Sequence, residues 1–125
     1  MRILVTGASG FVGGALLRRL ADVPGVEALG VARRPLPLPH YAALDLSQPF
    51  ELPFRPDVVV HAAARVSPWG SPAQFRQQNV DTTAQVIDFC RRAGHPRLLL
   101  VSSTAVFYRE AHQHDLDEDS PIGPA

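Results

Sequence analysis

The chain has no lysine: all twelve of its basic side chains are arginine, and twelve acidic residues balance them to a formal charge of zero. A neutral balance gives no electrostatic case for nucleic acid or an anionic membrane as partner. Cysteine occurs once, at Cys90, so no internal disulfide can form. That usage suits a reducing compartment, and a cytoplasmic location is expected. No apolar run approaches the roughly 20 residues of a membrane helix. Ile3-Leu4-Val5 is too short for a signal-peptide core before glycine-rich sequence begins. His61 has no second ligand at useful spacing, so no metal site is expected. There is no internal repeat.

What is present is enough apolar sequence, 46% of residues, to pack one core. Many of the twelve prolines fall between Pro35 and Pro39 and between Pro49 and Pro56. Both stretches read as loops, since proline lacks an amide donor and fixes its backbone. Arg2 to Thr6 reads as a buried parallel strand. From Phe11 to Ala21, Val12, Ala15, Leu16 and Leu20 recur at helical spacing while Arg18 and Arg19 face out. Pro24-Gly25 breaks that helix. Strands follow at Val26 to Ala32, Tyr41 to Leu44 and Asp57 to His61.

The next helix opens on Ser71 as N-cap, with Pro72 at its first position and Gln74 completing a capping box. Gly94 and Pro96 mark its end. Its wheel puts Phe75, Thr83, Val86, Ile87, Cys90 and Ala93 on one face, with Asn79 near the centre, where its amide needs a partner. Gln77, Asp81, Gln85, Asp88 and Arg92 point away. Arg97 to Ser102 reads as a fifth strand, and the acidic sequence from Arg109 as loop. Alternating strands and helices imply an α/β fold, a Rossmann-like doubly wound parallel sheet of order 3-2-1-4-5, with a ligand at the carboxyl ends of strands one and four.

Five segments could carry chemistry. Thr6-Gly7-Ala8-Ser9-Gly10-Phe11-Val12-Gly13 joins strand to helix as a phosphate-binding turn does. Gly7 permits the turn, Gly10 the approach of a pyrophosphate, and Gly13 close packing of the helix. At the end of strand two, no carboxylate awaits a ribose 2′-hydroxyl; Ala32 stands there, followed by Arg33 and Arg34. Arginine pairs with a 2′-phosphate, which favours NADP, with Arg33 the better candidate; the alternative is solvated surface charge. Asp45-Leu46 could meet an adenine, although a lone loop aspartate more often makes a local turn bond. Ala62-Ala63-Ala64, after His61, leaves room for a flat ligand, and His61 itself reads as a hydrogen-bonded histidine. Ser102-Ser103-Thr104 puts hydroxyls at the end of strand five, without the nucleophile elbow of a serine hydrolase.

Together TGASGFVG at 6–13, DL at 45–46, HAAA at 61–64, NV at 79–80 and SST at 102–104 resemble the extended short-chain dehydrogenase/reductases, the NAD-dependent epimerase/dehydratase family. The resemblance covers nearly the whole chain. It implies a cofactor-binding loop of Gly7, Ser9, Gly10, Phe11, Val12 and Gly13, with Gly7, Gly10, Phe11 and Val12 on the pyrophosphate. Asp45 and Leu46 would hold adenine. Ala62, Ala63 and Ala64 would line the ribose and nicotinamide path, with Ser102 and Ser103 beside the nicotinamide. Asn79 would orient the active-site backbone, and Thr104 would be the catalytic hydroxyl that hydrogen-bonds the reacting oxygen.

One departure is large. The family's base is a tyrosine four residues before a lysine that lowers its pKa. Four residues after Tyr41 and Tyr108 stand Asp45 and His112. The expectation is therefore an incomplete NAD(P)-binding Rossmann domain over residues 1–125, truncated after strand five and inactive or nearly so alone. Its parent would move hydride between a nicotinamide and an alcohol or ketone of a sugar-nucleotide, steroid-like or other small-molecule substrate. Val66-Ser67-Pro68-Trp69-Gly70 resembles the hydroxysteroid-dehydrogenase-like branch, with Trp69 either bordering substrate or packing on its own loop. An edge at strand five would leave Leu98, Leu99 and Leu100 poorly covered and invite self-association. The alternatives are a non-catalytic NADP-binding sensor module and a flavin-reductase-like NADP binder.

Overall fold

A computed structural model describes residues 1–63, 69–103 and 113–122. Five parallel strands form one sheet in the order β3-β2-β1-β4-β5. They are β1 (Arg2–Thr6), β2 (Glu27–Ala32), β3 (Tyr41–Ala43), β4 (Val58–His61) and β5 (Arg97–Leu100). The expected order and the α/β doubly wound class are those observed. Helix α1 (Phe11–Leu20) follows β1, and α2 (Pro72–Phe75), a π-helical segment (Arg76–Asp81) and α3 (Thr82–Arg92) run as one rod between β4 and β5.

Parallel strands buried on both faces need apolar side chains in both directions. Leu4, Val31 and Val59 project into one core with Val86, Phe89 and Cys90 of α3. Ile3 and Val5, of opposite parity to Leu4 in β1, are also buried. Burial pushes the Cys90 thiol pKa up, which leaves it a small apolar core residue.

Two connections lack helices. Residues 33–40 join β2 to β3 as irregular chain. Gly30 pairs with Tyr41, so the chain retraces only the last three positions of β2, about 10 Å at the rise of a strand. A prolyl loop through Pro35, Pro37 and Pro39 spans that distance. Residues 44–57 join β3 to β4 and cover the sheet where a helix would otherwise lie. Leu46 and Phe50 enter the core, and the Phe50 ring tilts against Phe89 at 5.0 Å between centroids.

Both helical wheels need correction. In α1 the buried positions are Gly13, Gly14 and Leu17, while Val12 is 54% exposed. Glycine adds nothing to a hydropathy pattern, yet here it forms the contact face because α1 lies so close to the sheet. A Cβ on Gly30 would meet Leu17 Cδ2 at 2.5 Å, which explains a glycine inside β2. In α3 the buried positions are Thr82, Val86, Phe89 and Cys90, and Ile87 is exposed. The π-helical segment gives its turn an extra residue, so one wheel cannot run from Phe75 to Ala93. The helix starts as expected: Gln74 N donates to Ser71 Oγ at 3.1 Å and Ser71 N donates to Gln74 Oε1 at 3.0 Å. It ends at Gly94 in the left-handed region (φ 86°), where His95 N donates to Cys90 O at 2.9 Å.

Strand β5 ends at Leu100, short of the expected Ser102, although Val101 N still donates to His61 O. Leu99 and Leu100 are more than half exposed, as expected of an edge; Leu98 instead packs against the core. No described helix is long and apolar enough to cross a membrane.

Candidate functional site

The carboxyl ends of β1 and β4 lie side by side, Thr6 paired with His61; the chain leaves β1 in a glycine-rich turn and β4 through Ala62 and Ala63. After β1 the backbone reverses at Gly7 in the left-handed region (φ 66°). A side chain there would be strained, and a Cβ would stand 2.7 Å from the Ala62 carbonyl and from Ala63 N. Gly10 N then donates to Gly7 O at 3.0 Å, closing the turn, and Ala8 N donates to Val31 O on β2. Gly13 packs so tightly that a Cβ would lie 2.2 Å from Gly7 O.

The turn delivers Gly10 as the N-cap of α1. No side chain caps that end, and the first turn carries no acidic residue. Helix amino ends expose unpaired amides and the positive end of the dipole, so an uncapped one offers donors to an anion. Phe11, 92% exposed, and Val12, 54% exposed, follow Gly10 at that end. Ser9 is half-buried in the same turn.

At the other end of the cleft, Arg33, Asp45, Leu46, Ser47, Gln77, Gln78 and Thr82 line a hollow of about 120 Å³. Leu46 is buried and anchors it to the core. Asp45 Oδ1 takes both the Ser47 hydroxyl, at 2.6 Å, and the Ser47 amide, at 3.0 Å. The local turn bond weighed for this aspartate therefore exists, and it uses one carboxylate oxygen. Those hydrogen bonds, with a smaller contribution from the Arg33 charge, hold the Asp45 pKa below the usual carboxylate range. Gln77 Nε2 donates to Ser47 Oγ at 3.3 Å and braces the same loop.

Beneath the cleft His61 is 1% exposed and hydrogen-bonded through both ring nitrogens, Nδ1 to Thr6 Oγ1 at 2.7 Å and Nε2 to Thr83 Oγ1 at 2.9 Å. Burial lowers its pKa, so the ring is neutral at pH 7. No cluster of His, Cys, Asp and Glu suited to a metal occurs among the described residues.

The structure thus brings Gly7, Ser9, Gly10, Phe11, Val12 and Gly13 together in one turn and helix start, with Gly7 against Ala62 and Ala63, while Arg33, Asp45 and Leu46 share one hollow. Asn79 is half-buried within the π-helical segment, and its carbonyl takes the Thr83 hydroxyl. Ser102 and Ser103 follow β5 and are exposed. Ala64 and Thr104 lie outside the described residues, as do Val66, Ser67 and Pro68. Trp69 is 80% exposed just ahead of the α2 cap. The sequence reading did not single out Ser47, Gln77 and Gln78 around Asp45, or the hydroxyls of Thr6 and Thr83. A threonine ending a strand gave no signal of its own until its partner His61 was placed opposite.

Comparisons with known proteins converge on one family. A family model described as the NAD dependent epimerase/dehydratase family matches residues 3–125. The chain is 35% identical over 125 residues to a 2-alkyl-3-oxoalkanoate reductase of Stenotrophomonas maltophilia, covering 90% of this chain and 36% of that protein. It is 31% identical to a UDP-glucose 4-epimerase of Mycolicibacterium smegmatis, over all of this chain and 46% of the relative. Among solved structures, a single-substitution variant of uronate dehydrogenase from Agrobacterium tumefaciens, complexed with NAD, superposes with a TM-score of 0.80 at 26% identity. That superposition takes in 98% of this chain and 48% of the other. The chain therefore spans less than half the length of these relatives. With the sheet order, the glycine turn and the full-length match in agreement, this chain belongs to the NAD dependent epimerase/dehydratase family.

Proposed function

We propose that the chain binds a nicotinamide dinucleotide across the carboxyl ends of β1 and β4, as the cofactor-binding portion of an oxidoreductase or epimerase. The observation that carries this reading is the uncapped amino end of α1. It is bared by Gly7 and Gly13, which leave no room for a Cβ, and by Gly10, whose Cβ position is open except toward Gly7 O. Backbone amides are the donors a diphosphate needs, so the residues present fit the group. Bound there, the cofactor supplies hydride chemistry with an alcohol or ketone. The uronate dehydrogenase structure, which is complexed with NAD, supports a nicotinamide cofactor.

The roles of the side chains follow. Gly7, Ser9, Gly10, Phe11, Val12 and Gly13 hold the diphosphate. Asp45 accepts from the adenine amino group through the oxygen that Ser47 leaves free, with Leu46 against the ring. Ala62, Ala63 and Ala64 line the ribose and nicotinamide path, with Ser102 and Ser103 alongside, and Asn79 steadies the backbone between. Thr104 is the hydroxyl that hydrogen-bonds the reacting oxygen. A tyrosine-lysine pair is missing because the sequence holds no lysine. The chain alone is therefore inactive or nearly so, and the non-catalytic NADP-binding module is the second reading. Adding NADPH with a panel of ketones and 3-oxoalkanoates separates the two from a competent enzyme: turnover at an ordinary enzymatic rate would refute both.

NADP is preferred over NAD. Ala32 closes β2 where an NAD site would hold a carboxylate, and Arg33 stands exposed beside Asp45 at the adenine hollow. Titration with each dinucleotide tests the whole reading. NADPH should bind about tenfold tighter than NADH, and Arg33→Ala should abolish the difference. Equal affinities refute the 2′-phosphate assignment; no binding of either refutes the function.

The exposed Leu99, Leu100 and Val101 along the β5 edge support self-association of the chain. Light scattering should find a dimer or larger species that Leu99→Lys with Leu100→Lys converts to monomer. A monomer without those substitutions refutes it.

A further inference from the structure

Thr6, 0% exposed, and His61, 1% exposed, are the most buried polar side chains of the described residues, and Thr83 lies half-buried against them. None has been given a part in holding the dinucleotide. Their hydrogen bonds nevertheless fix the place of every proton. Ala62 N and Ala63 N both donate to Thr6 Oγ1, at 3.0 and 3.1 Å. With its acceptor sites so used, the Thr6 hydroxyl directs its hydrogen at His61 Nδ1, 2.7 Å away. Nδ1 is therefore bare, and the ring proton sits on Nε2. From there it is donated to Thr83 Oγ1 at 2.9 Å, and the Thr83 hydroxyl donates onward to Asn79 O at 2.8 Å. The other tautomer would point the Nδ1 hydrogen at a hydroxyl already accepting two amides.

We propose that Thr6, His61 and Thr83 are positioning residues for dinucleotide binding, acting as one proton-ordered chain. It pins the Ala62–Ala63 backbone to the end of β1 and to the π-helical segment. The inference rests on the dinucleotide reading above. Its reach comes from contact: the Ala62–Ala63 peptide lies so close to Gly7 that a Cβ there would stand 2.7 Å from it. A shift of that peptide displaces the turn that presents the amides of α1. The far end of the chain reaches the helix whose Gln77 and Gln78 flank Asp45, so both halves of the cleft are referenced to a single buried ring.

The test uses the whole 125-residue chain and NADPH. Long-range nitrogen-proton spectra of the histidine rings, with His61 assigned from a His61→Gln sample, should show a neutral ring protonated on Nε2 at pH 7. A ring protonated on Nδ1, or on both nitrogens, overturns the proposal. Thr6→Val keeps the shape of the side chain and removes the hydroxyl; Thr6→Ser restores it. The valine variant should bind NADPH about tenfold more weakly and the serine variant within about twofold of the unsubstituted chain. Thr83→Val and Thr83→Ser should show the same ordering, and they carry the test if Thr6→Val does not fold. Equal affinity of folded valine and serine variants overturns the proposal. Failure of the unsubstituted chain to bind either dinucleotide overturns the function itself, and that measurement tells the two failures apart.

Discussion

Gly13→Ala sets two physical effects against each other. Alanine in a helix interior is favoured over glycine by about 1 kcal/mol. At this position the added methyl would lie 2.2 Å from Gly7 O, 2.7 Å from Gly7 C and 3.0 Å from Thr6 O, all backbone atoms of the turn. Ordinary van der Waals contact begins near 3.4 Å, so α1 must retreat by about 1 Å. The retreat also draws Leu17 away from Gly30, over which it packs with no space for a Cβ. Overpacking of this kind costs about 1–3 kcal/mol, and a gap of that width forfeits a quarter to a half of each contact it opens. The strain outweighs the propensity gain, and a net loss of about 2 kcal/mol is expected, or roughly 8 °C in Tm for a chain of this size. Gly10→Ala is the companion measurement. Its Cβ would meet only Gly7 O, at 3.3 Å, and its φ of −89° suits any residue. It should cost less than about 1 kcal/mol, the cap effect alone. Its methyl, however, stands at the mouth of the helix, and NADPH affinity should fall at least about tenfold. Urea titrations followed by circular dichroism give the stabilities. A Gly13→Ala variant as stable as the unsubstituted chain would refute the packing argument.

Three further outcomes are expected. Ser71→Ala removes the hydroxyl that accepts from Gln74 N, leaving the bond from the residue-71 amide to Gln74 Oε1, and should destabilise the chain by about 1 kcal/mol in the same urea titration; no change would mean that this helix end frays without consequence. Phe89→Ala takes away the ring that meets Phe50 and should cost about 3–5 kcal/mol, enough to lose the cooperative transition; a small loss would show that the 44–57 loop does not depend on the core. Because burial lowers the His61 pKa in the fold, the unfolded chain takes up that proton first as pH drops below the ordinary value of 6.5. Stability should therefore fall with decreasing pH from about 6.5 and stop falling on this account once the folded ring is protonated as well. His61→Gln should flatten that slope, and an unchanged slope would assign it to other groups.

The sheet was legible because its strands are short apolar runs cut off by glycine, proline or acidic turns, as at Arg2–Thr6 and Val58–His61. The glycine turn was legible because position between strand and helix gives three glycines a mechanism. The helix faces were not. Gly13 and Gly14 are invisible to hydropathy, and a π-helical turn changes the phase of everything beyond it without any breaker residue to announce it. Asp45 could be placed at the cleft, but the Ser47 bond that takes half of its carboxylate depends on side-chain geometry two residues away. The Thr6–His61–Thr83 chain joins residues far apart in sequence, and only the register of β1 with β4 puts the first two together.

The two ends of the hollow lined by Arg33 and Asp45 differ in how freely they can change. Arg33 and Arg34 stand in solvent after β2, and replacing them disturbs no packing. Asp45 precedes a leucine locked into the interior, on a loop whose phenylalanine rests against α3. Under the proposed dinucleotide reading, mutational drift at the two arginines would retune cofactor choice at little structural risk, whereas the Asp45 end is held fixed by the same residues that keep the protein folded.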